Sequence, residues 1–217
     1  MISKRLIIAL DTDDLNLVKK LSALFDPKLC LMKVGLQLYI AHGKEVLDYL
    51  SEQGFEIFLD LKLHDIPNTV AKAIKEIQKF NIKMTTIHSQ GGVEMINAAL
   101  DQSNDIKIIA VSLLTSLDKQ DVSRLYDNDF EKQFEMLLKV ITDTKTHGIV
   151  CSSHELVKIS DNNLIKVVPG IRNVDVSDDQ KRIMSSKAAY ANGADFIVVG
   201  RPIINSENPS EEYKKYL

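Results

Sequence analysis

The sequence predicts a single (β/α)8 barrel, also called a TIM barrel, over residues 1–217. Short apolar runs of strand length alternate with segments of helical period along the chain, and nearly every run ends in a polar residue or a glycine. Apolar strands joined by helices form a parallel sheet with helices on its faces. Eight such units close naturally into a barrel. An open, doubly wound sheet is the alternative that the pattern leaves open.

Eight apolar runs are the expected strands of this barrel. They occupy residues 5–11, 29–35, 56–62, 83–89, 106–112, 147–152, 164–170 and 196–201. Between them, apolar residues recur at the spacing of one helix face. The clearest sets are Val18, Leu21 and Phe25; Val70, Ile74 and Ile77; and Phe134, Leu137, Leu138 and Ile141. No linker, low-complexity segment or shift in composition divides the chain, so we expect one domain.

Composition and charge narrow the class of protein. Apolar residues make up 45% of the chain and charged residues 26%, with a net charge of -3. No basic stripe is available to displace counterions, which argues against a nucleic-acid partner. The apolar run at the start, MISKRLIIAL, is short for a secretion signal, and no run reaches the 18 residues of a membrane span. We therefore expect a cytoplasmic protein without a membrane partner, in which Cys30 and Cys151 are buried thiols.

The stretch FLDLKLHDIPNTV places three charges at the end of a strand that otherwise looks buried. Side chains two apart on a strand share a face, so Asp60 and Lys62 are expected to point together into the barrel mouth, with Asp65 in the turn that follows. Opposite charges nearby keep a lysine protonated. A Schiff-base lysine instead needs a neutral amine. Lys62 therefore has the setting of a general acid, although a structural ion pair with Asp60 is the alternative.

The ends of neighbouring strands add further charges to this set. Asp11 ends the first run and Lys33 lies near the end of the second. Burying four alternating charges costs free energy, because buried ions lose their hydration, so a purely structural role for this set is disfavoured. The aspartates could hold Mg²⁺, but Lys33 and Lys62 already neutralise them, so we expect no metal and no cofactor. His88, at the end of the fourth run, is equally compatible with a core histidine and a site residue.

The last two runs have the form of a phosphate site. VVPGIR ends the seventh strand with Pro169 and Arg172, and VVGRPI ends the eighth with Gly200 and Arg201. In barrels this is the recurrent position for a phosphate group, and the guanidinium fork matches phosphate oxygens. The sequence therefore predicts a small phosphorylated substrate. The polar loop 172–179 could close over it as a lid.

With these motifs in place, the chain resembles the orotidine 5'-phosphate decarboxylase family over essentially its whole length. The most specific element is DLKLHDIPNT, which is close to the Asp-x-Lys-x-x-Asp signature of that family. The order of the other motifs also agrees: ALD, MKVG, IHSQGG, LLTS, VVPGIR and VVGRPI. The resemblance implies decarboxylation of orotidine 5'-phosphate to UMP and CO2 in pyrimidine biosynthesis.

The resemblance also implies a role for each matching position. Lys62 would donate the proton, Asp60 would lie beside the substrate carboxylate, and Lys33 would bridge the charged network. The substrate-binding residues that it implies are Asp11 and Lys33 at the ribose, Thr115 near the pyrimidine, Gln180 between base and phosphate, and Pro169, Arg172, Gly200 and Arg201 at the phosphate end. Asp65, Ile66 and Thr69 would reach into the site of a second subunit, which implies a homodimer.

Two other functions remain open on the sequence. Related barrel enzymes resembling 3-keto-L-gulonate 6-phosphate decarboxylase or hexulose-phosphate synthase share Asp-x-Lys-x-x-Asp, but they use Mg²⁺ and carry a glutamate at the end of the second strand, where this chain has Lys33. A barrel that binds a phosphorylated nucleotide without turnover is the second alternative. The segment between Arg172 and Gln180 is slightly shorter than the family pattern.

Overall fold

A computed structural model describes residues 5–160, 163–173 and 184–217 of the chain. Its centre is a closed barrel of eight parallel strands in the order β1 to β8. The strands are β1 (Leu6–Ala9), β2 (Cys30–Gly35), β3 (Ile57–Leu63), β4 (Ile82–His88), β5 (Lys107–Val111), β6 (Gly148–Val150), β7 (Ile165–Pro169) and β8 (Phe196–Val199). The predicted (β/α)8 barrel is thereby confirmed.

Pairing of the first strand with the last closes the sheet. Leu6 lies opposite Ile197 and Ile8 lies opposite Val199, in parallel register. An open sheet would leave both of these strands as edges with unpaired backbone groups. The alternative of a doubly wound open sheet is therefore wrong for this chain.

Helices cover the outside of the barrel. They are α1 (Leu15–Ser22), α2 (Leu36–His42), α3 (Lys44–Glu52), α4 (Pro67–Ile77), α5 (Gly92–Leu100), α6 (Lys119–Tyr126), α7 (Phe130–Asp143), α8 (Ser153–Leu156), α9 (Ser186–Ala191), α10 (Arg201–Ile204) and α11 (Pro209–Glu212). Local sequence explains where several begin. The Asp14 carboxylate accepts hydrogen bonds from the backbone at the start of α1, and Pro67, which lacks an N–H, occupies the first position of α4.

The helical spacings seen in the sequence correspond to the buried faces of these helices, with one difference. Val70, Ile74 and Ile77 all lie on the buried face of α4. Phe25, in contrast, lies beyond the end of α1 at Ser22. It is nevertheless buried, and its ring packs edge-on against Tyr213 at a centroid distance of 5.1 Å. An apolar side chain can continue a helical stripe in sequence after the helix itself has ended.

The apolar core has two layers. The inner layer fills the barrel with side chains from β1 to β5, β7 and β8, namely Ile7, Ala9, Leu31, Phe58, Met84, Ile109, Val167 and Val198. The larger layer lies between the strands and the helices and includes Leu59 of β3, Ile74 of α4 and Phe134 of α7. Because the inner layer packs the centre of the barrel, polar side chains that point inward are confined to its two ends.

No helix in the described parts of the chain is both long and apolar enough to cross a membrane.

Both cysteines are buried thiols, as the sequence predicted, and each side chain is 0% exposed. Burial raises the pKa of the Cys151 thiol, and the nearby Glu155 carboxylate raises it further. Thiolates, rather than thiols, react with alkylating reagents. We therefore expect the native protein at pH 8 to resist iodoacetamide at both positions, while the urea-unfolded chain reacts at both. Mass spectrometry of the two samples measures this, and rapid labelling of the native chain would contradict the burial.

Candidate active site

A cavity of about 290 Å³ opens at the carboxyl ends of the strands. It brings together most of the site residues that the sequence predicts. Those that line it are Asp11, Lys33, Asp60, Lys62, Thr115, Pro169, Arg172, Gly200 and Arg201. They come from the ends of β1, β2, β3, β7 and β8 and from the loop after β5. Residues far apart in sequence thus form one polar site above the apolar interior of the barrel.

A chain of alternating charges forms one wall of this cavity. The Lys62 ammonium donates to both oxygens of Asp60, at 2.9 and 3.0 Å. Lys33 lies between two carboxylates, with its Nζ 3.0 Å from Asp11 Oδ1 and 3.5 Å from Asp60 Oδ2. Asp60 is only 9% exposed. A buried carboxylate is tolerated here because two ammonium groups face it.

The electrostatics of Asp60 follow from these contacts. Burial alone raises the pKa of its carboxyl group, but the charges of Lys33 and Lys62 and the hydrogen bonds from Lys62 and Thr86 outweigh burial, so that the pKa is lowered overall. Asp60 is therefore ionised throughout the neutral range. It keeps a negative charge next to the Lys62 ammonium.

The backbone of β3 is irregular where it presents Lys62. Lys62 has a φ of 51°, a left-handed conformation that residues other than glycine rarely adopt. The register with β4 shifts at the same place, from Leu59 opposite Thr85 to Leu63 opposite Ile87. More residues of β3 than of β4 are used between these pairs, which is a β-bulge. Simple alternation therefore predicted the shared side of Asp60 and Lys62 correctly, but not the backbone that produces it.

Two glycines leave room for the charged groups. A Cβ atom added to Gly35 would lie 2.8 Å from Lys33 Nζ, and one added to Gly200 would lie 3.3 Å from Asp11 Oδ2. Any larger residue at position 35 would push the Lys33 ammonium out of its place. The presence of glycine at position 35, in the MKVG motif, is therefore explained by the space that the Lys33 ammonium occupies.

Two arginines follow the ends of β7 and β8. Arg172 and Arg201 both line the cavity, next to Pro169 and Gly200. The Arg172 backbone N–H donates to the carbonyl of Met184 at 3.1 Å, so the two ends of the intervening loop meet. Gln180 and the greater part of the predicted lid 172–179 lie outside the described residues.

Asp65, Ile66 and Thr69 do not line the cavity of their own chain. All three are exposed, and Ile66 is 66% exposed. The Asp65 carboxylate accepts a hydrogen bond from the Ile66 backbone N–H at 2.7 Å. Within one chain, the Lys62 ammonium therefore has Asp60 as its carboxylate neighbour while Asp65 points elsewhere.

His88 belongs to the edge of the site rather than to the cavity. It ends β4, is partly buried, and its ring lies 5.5 Å from that of His64. Burial lowers the pKa of His88, and the neighbouring His64 and Lys62 lower it further. His88 is therefore neutral at neutral pH. It does not add a cation to the charged wall.

Thr86 was not predicted from the sequence, yet it forms hydrogen bonds with both Lys62 and Asp60 of β3. Its hydroxyl accepts from the Lys62 backbone N–H and donates to Asp60 Oδ1, both at 2.9 Å. A threonine within a strand is ordinary for β-structure, so nothing in the sequence distinguishes Thr86 from its neighbour Thr85.

Comparison with known proteins shows the family to which the chain belongs. The model of the orotidine 5'-phosphate decarboxylase / HUMPS family matches residues 4–216. The chain belongs to this family. The family predicted from the DLKLHDIPNT motif is thus confirmed.

Individual relatives extend the match over nearly full lengths. An orotidine 5'-phosphate decarboxylase of Ehrlichia canis is 43% identical over 210 residues, which is 94% of this chain and 92% of that protein. One of Streptococcus pneumoniae is 41% identical over 217 residues, 96% and 93% of the two chains. The crystal structure of orotidine 5'-phosphate decarboxylase from Lactobacillus acidophilus superposes with a TM-score of 0.85, at 35% identity and 99% coverage of both chains.

The low pKa of Asp60 predicts how stability depends on pH in this family member. The folded-state pKa lies below the ordinary value of 3.8. The stabilisation by ionised Asp60 is therefore complete above that value and is lost as the pH falls through the lower, folded-state pKa. At pH 7 we expect Asp60→Asn to lower the free energy of unfolding by roughly 3 kcal/mol, because Lys33 and Lys62 lose their shared partner. Urea unfolding from pH 7 down to 3 should show this difference shrinking below about pH 4; a difference that stays constant would contradict the assignment.

Proposed function

We propose that this chain is an orotidine 5'-phosphate decarboxylase, a carboxy-lyase that forms UMP and CO2 in pyrimidine biosynthesis, and that residues 1–217 form one catalytic domain. The observation that carries the proposal is the Lys62 ammonium, held 2.9 Å from a buried carboxylate inside a cavity that also contains two arginines. Family membership and the names of the relatives support it.

The proposed chemical step uses Lys62 as the proton donor. When the bond between C6 and the carboxylate breaks, CO2 leaves and the electron pair stays on C6 in the plane of the pyrimidine ring, with no adjacent carbonyl to delocalise it. A fixed ammonium stabilises this developing negative charge and then transfers its proton to C6. Lys62 recovers its proton from solvent after product release.

Asp60 would also act on the bound substrate directly. In the proposed orientation, its carboxylate lies beside the substrate carboxylate, so that two negative charges are close before the reaction and one of them is gone afterwards. Interactions that favour the transition state over the bound substrate accelerate the reaction. Asp11 and Lys33 would hold the ribose and keep Asp60 in place.

The phosphate end would supply binding energy away from C6. Arg172 and Arg201 line the same cavity as Lys62 but come from β7 and β8, and guanidinium groups suit phosphate oxygens. Pro169 and Gly200 shape the backbone there. Thr115 would contact the pyrimidine and Gln180 would lie between base and phosphate. Binding energy from non-reacting parts of a substrate can position the reacting part.

The proposed reaction needs no metal ion. Each carboxylate of the charged wall already faces an ammonium group: Asp11 faces Lys33, and Asp60 faces both Lys33 and Lys62. A divalent cation would have to displace these lysines or lie next to their charge. This donor set favours a metal-free decarboxylase over the Mg²⁺-dependent alternatives, in which a carboxylate would occupy the position of Lys33.

We further propose that two copies of the chain share their active sites. The segment Asp65–Thr69 follows the catalytic strand directly yet is turned outward, and Ile66 is 66% exposed. On α2, after the neighbouring strand, Leu36 is 52% and Ile40 is 80% exposed. Exposed apolar side chains of this size suit an interface. In the homodimer, Asp65, Ile66 and Thr69 would reach the partner's cavity and give Lys62 its second carboxylate. A cytoplasmic location stays a prediction.

The direct test is the absorbance change on adding orotidine 5'-phosphate to the purified protein. We expect the absorbance to fall as UMP forms, at the same rate with and without EDTA. Loss of activity in EDTA and its return with Mg²⁺ would instead favour the metal-dependent alternative. Tight UMP binding without turnover would favour the non-catalytic barrel.

Lys62→Ala tests the proton donor. We expect kcat to fall by at least roughly 10³-fold, because the general acid is lost, while UMP still binds. Lys83→Ala is the matched control, since Lys83 is a lysine of the adjacent strand that pairs with Glu56 at 3.2 Å outside the cavity. Near-normal turnover by Lys62→Ala would remove Lys62 from the mechanism.

Mixing two inactive variants tests the shared site. Asp65→Ala and Lys62→Ala should each be inactive alone. If Asp65 serves the partner's cavity, a mixed dimer contains one intact site, and a re-equilibrated equimolar mixture should recover up to about a quarter of wild-type activity. If Asp65 acts within its own chain, every site in the mixture stays defective and no activity returns. That outcome would contradict the shared site.

A further inference from the structure

The irregular backbone at Lys62 has one side-chain partner on the neighbouring strand. Between the pair Leu59–Thr85 and the pair Leu63–Ile87, the register of β3 and β4 is broken. Here the Lys62 backbone N–H donates to the side-chain oxygen of Thr86, at 2.9 Å. Thr86 is 0% exposed. Its hydroxyl therefore occupies the gap that the bulge leaves in the sheet.

The direction of each hydrogen bond of Thr86 is fixed by chemistry. A backbone N–H can only donate, and an ionised carboxylate can only accept. The hydroxyl must therefore accept from Lys62 and donate its single hydrogen to Asp60 Oδ1, at 2.9 Å. The Lys62 ammonium donates to the same Oδ1, also at 2.9 Å. The backbone of Lys62, the hydroxyl of Thr86, the carboxylate of Asp60 and the ammonium of Lys62 thus form a closed ring of contacts.

We propose that Thr86 is a positioning residue for the reaction: its hydroxyl couples the backbone of Lys62 to the carboxylate of Asp60 and so sets where the Lys62 ammonium lies in the cavity. This inference deepens the decarboxylase function proposed above and rests on it. Thr86 does not line the cavity, so it acts through Lys62 and Asp60 rather than on the substrate.

The ring explains how a strained backbone can hold a flexible side chain. A left-handed residue other than glycine persists only where its surroundings fix it. Lysine has four rotatable side-chain bonds, so anchoring its carboxylate partner matters as much as anchoring its backbone. The hydroxyl of Thr86 anchors both the carboxylate of Asp60 and the backbone of Lys62. Without the hydroxyl, Asp60 loses one of the donors that fix its carboxylate, and the Lys62 N–H loses its acceptor.

Thr85 provides a matched control. It is the adjacent residue of the same strand, is also 0% exposed, and its hydroxyl donates to the Leu59 carbonyl of β3 at 2.8 Å. Loss of this hydroxyl removes a buried hydrogen bond between the same two strands without touching Asp60 or Lys62. A purely structural role for Thr86 would make the two positions behave alike.

The experiment compares Thr86→Val, Thr86→Ser and Thr85→Val with the wild type. For Thr86→Val we expect kcat to fall roughly 10- to 100-fold, as for a misplaced catalytic group, with a much smaller change in KM and in UMP affinity. Thr86→Ser keeps the hydroxyl and should recover most of the activity. Thr85→Val should keep near wild-type kcat. Equal kcat for Thr86→Val and Thr85→Val, or a Thr86→Ser variant as slow as Thr86→Val, would overturn the inference.

A second readout does not depend on the reaction. Carbon-13 NMR titration of the Asp60 carboxyl group in the ligand-free protein should show a higher pKa in Thr86→Val than in wild type, because a hydrogen bond to the charged form is lost, and no such change in Thr85→Val. An unchanged Asp60 titration in Thr86→Val overturns the inference even if the wild type decarboxylates. A wild type without activity overturns the proposed function while this titration still tests Thr86. If Thr86→Val does not fold, Thr86→Ala and Thr85→Ala repeat both comparisons.

Discussion

The candidate active site is organised around one buried carboxylate between two ammonium groups. Asp60 lies at the end of β3, 9% exposed, with Lys62 at 2.9 Å and Lys33 at 3.5 Å. Asp60 and Lys33 would not be stable there alone, because each is largely buried and would lose its hydration without gaining a partner. The closed barrel makes the arrangement possible, since it brings the ends of β2 and β3 side by side and fills the space beneath them with apolar side chains. The charged wall therefore depends on the fold.

The local backbone departs from regular strand geometry where it accommodates the charged side chains. Lys62 adopts a left-handed conformation that costs on the order of 1–3 kcal/mol, and the register of β3 and β4 is broken beside it. At Gly35 a side chain would collide with the Lys33 ammonium. These features do not stabilise the barrel. A regular hydrogen-bond ladder, with β-branched residues in the strands, would stabilise it more. Local departures from the best structure of this kind are typical of sites that have been shaped for function.

Much of the fold and of the site could be predicted from the sequence, because the signals concerned are periodic or chemically distinctive. Alternating apolar runs give the eight strands within about two residues at each end, and charges at strand ends are conspicuous in a buried context. The bulge at Lys62 could not be predicted, since the letters DLKL fit a regular strand equally well. The role of Thr86 could not be predicted either. Thr85 and Thr86 are adjacent in β4 and face opposite sides of the sheet, and the sequence does not show which of them meets the shifted part of β3. Phe25 shows the same limit for helices, whose ends are set by capping and tertiary packing rather than by apolar spacing.

The position of Asp65 supports the proposal that two copies of the chain share their active sites. Asp60 and Asp65 belong to one short motif, yet the bulge and the start of α4 send their carboxylates in different directions: that of Asp60 into the cavity and that of Asp65 to the surface. A lysine with one carboxylate partner in its own chain can be given a second by another copy of the same motif. If so, the pairing of ammonium and carboxylates that the reaction needs would be completed only on association, and the exposed Ile66 beside Asp65 would supply apolar contact for that association. Substrate binding and subunit association would then act on the same group, the Lys62 ammonium.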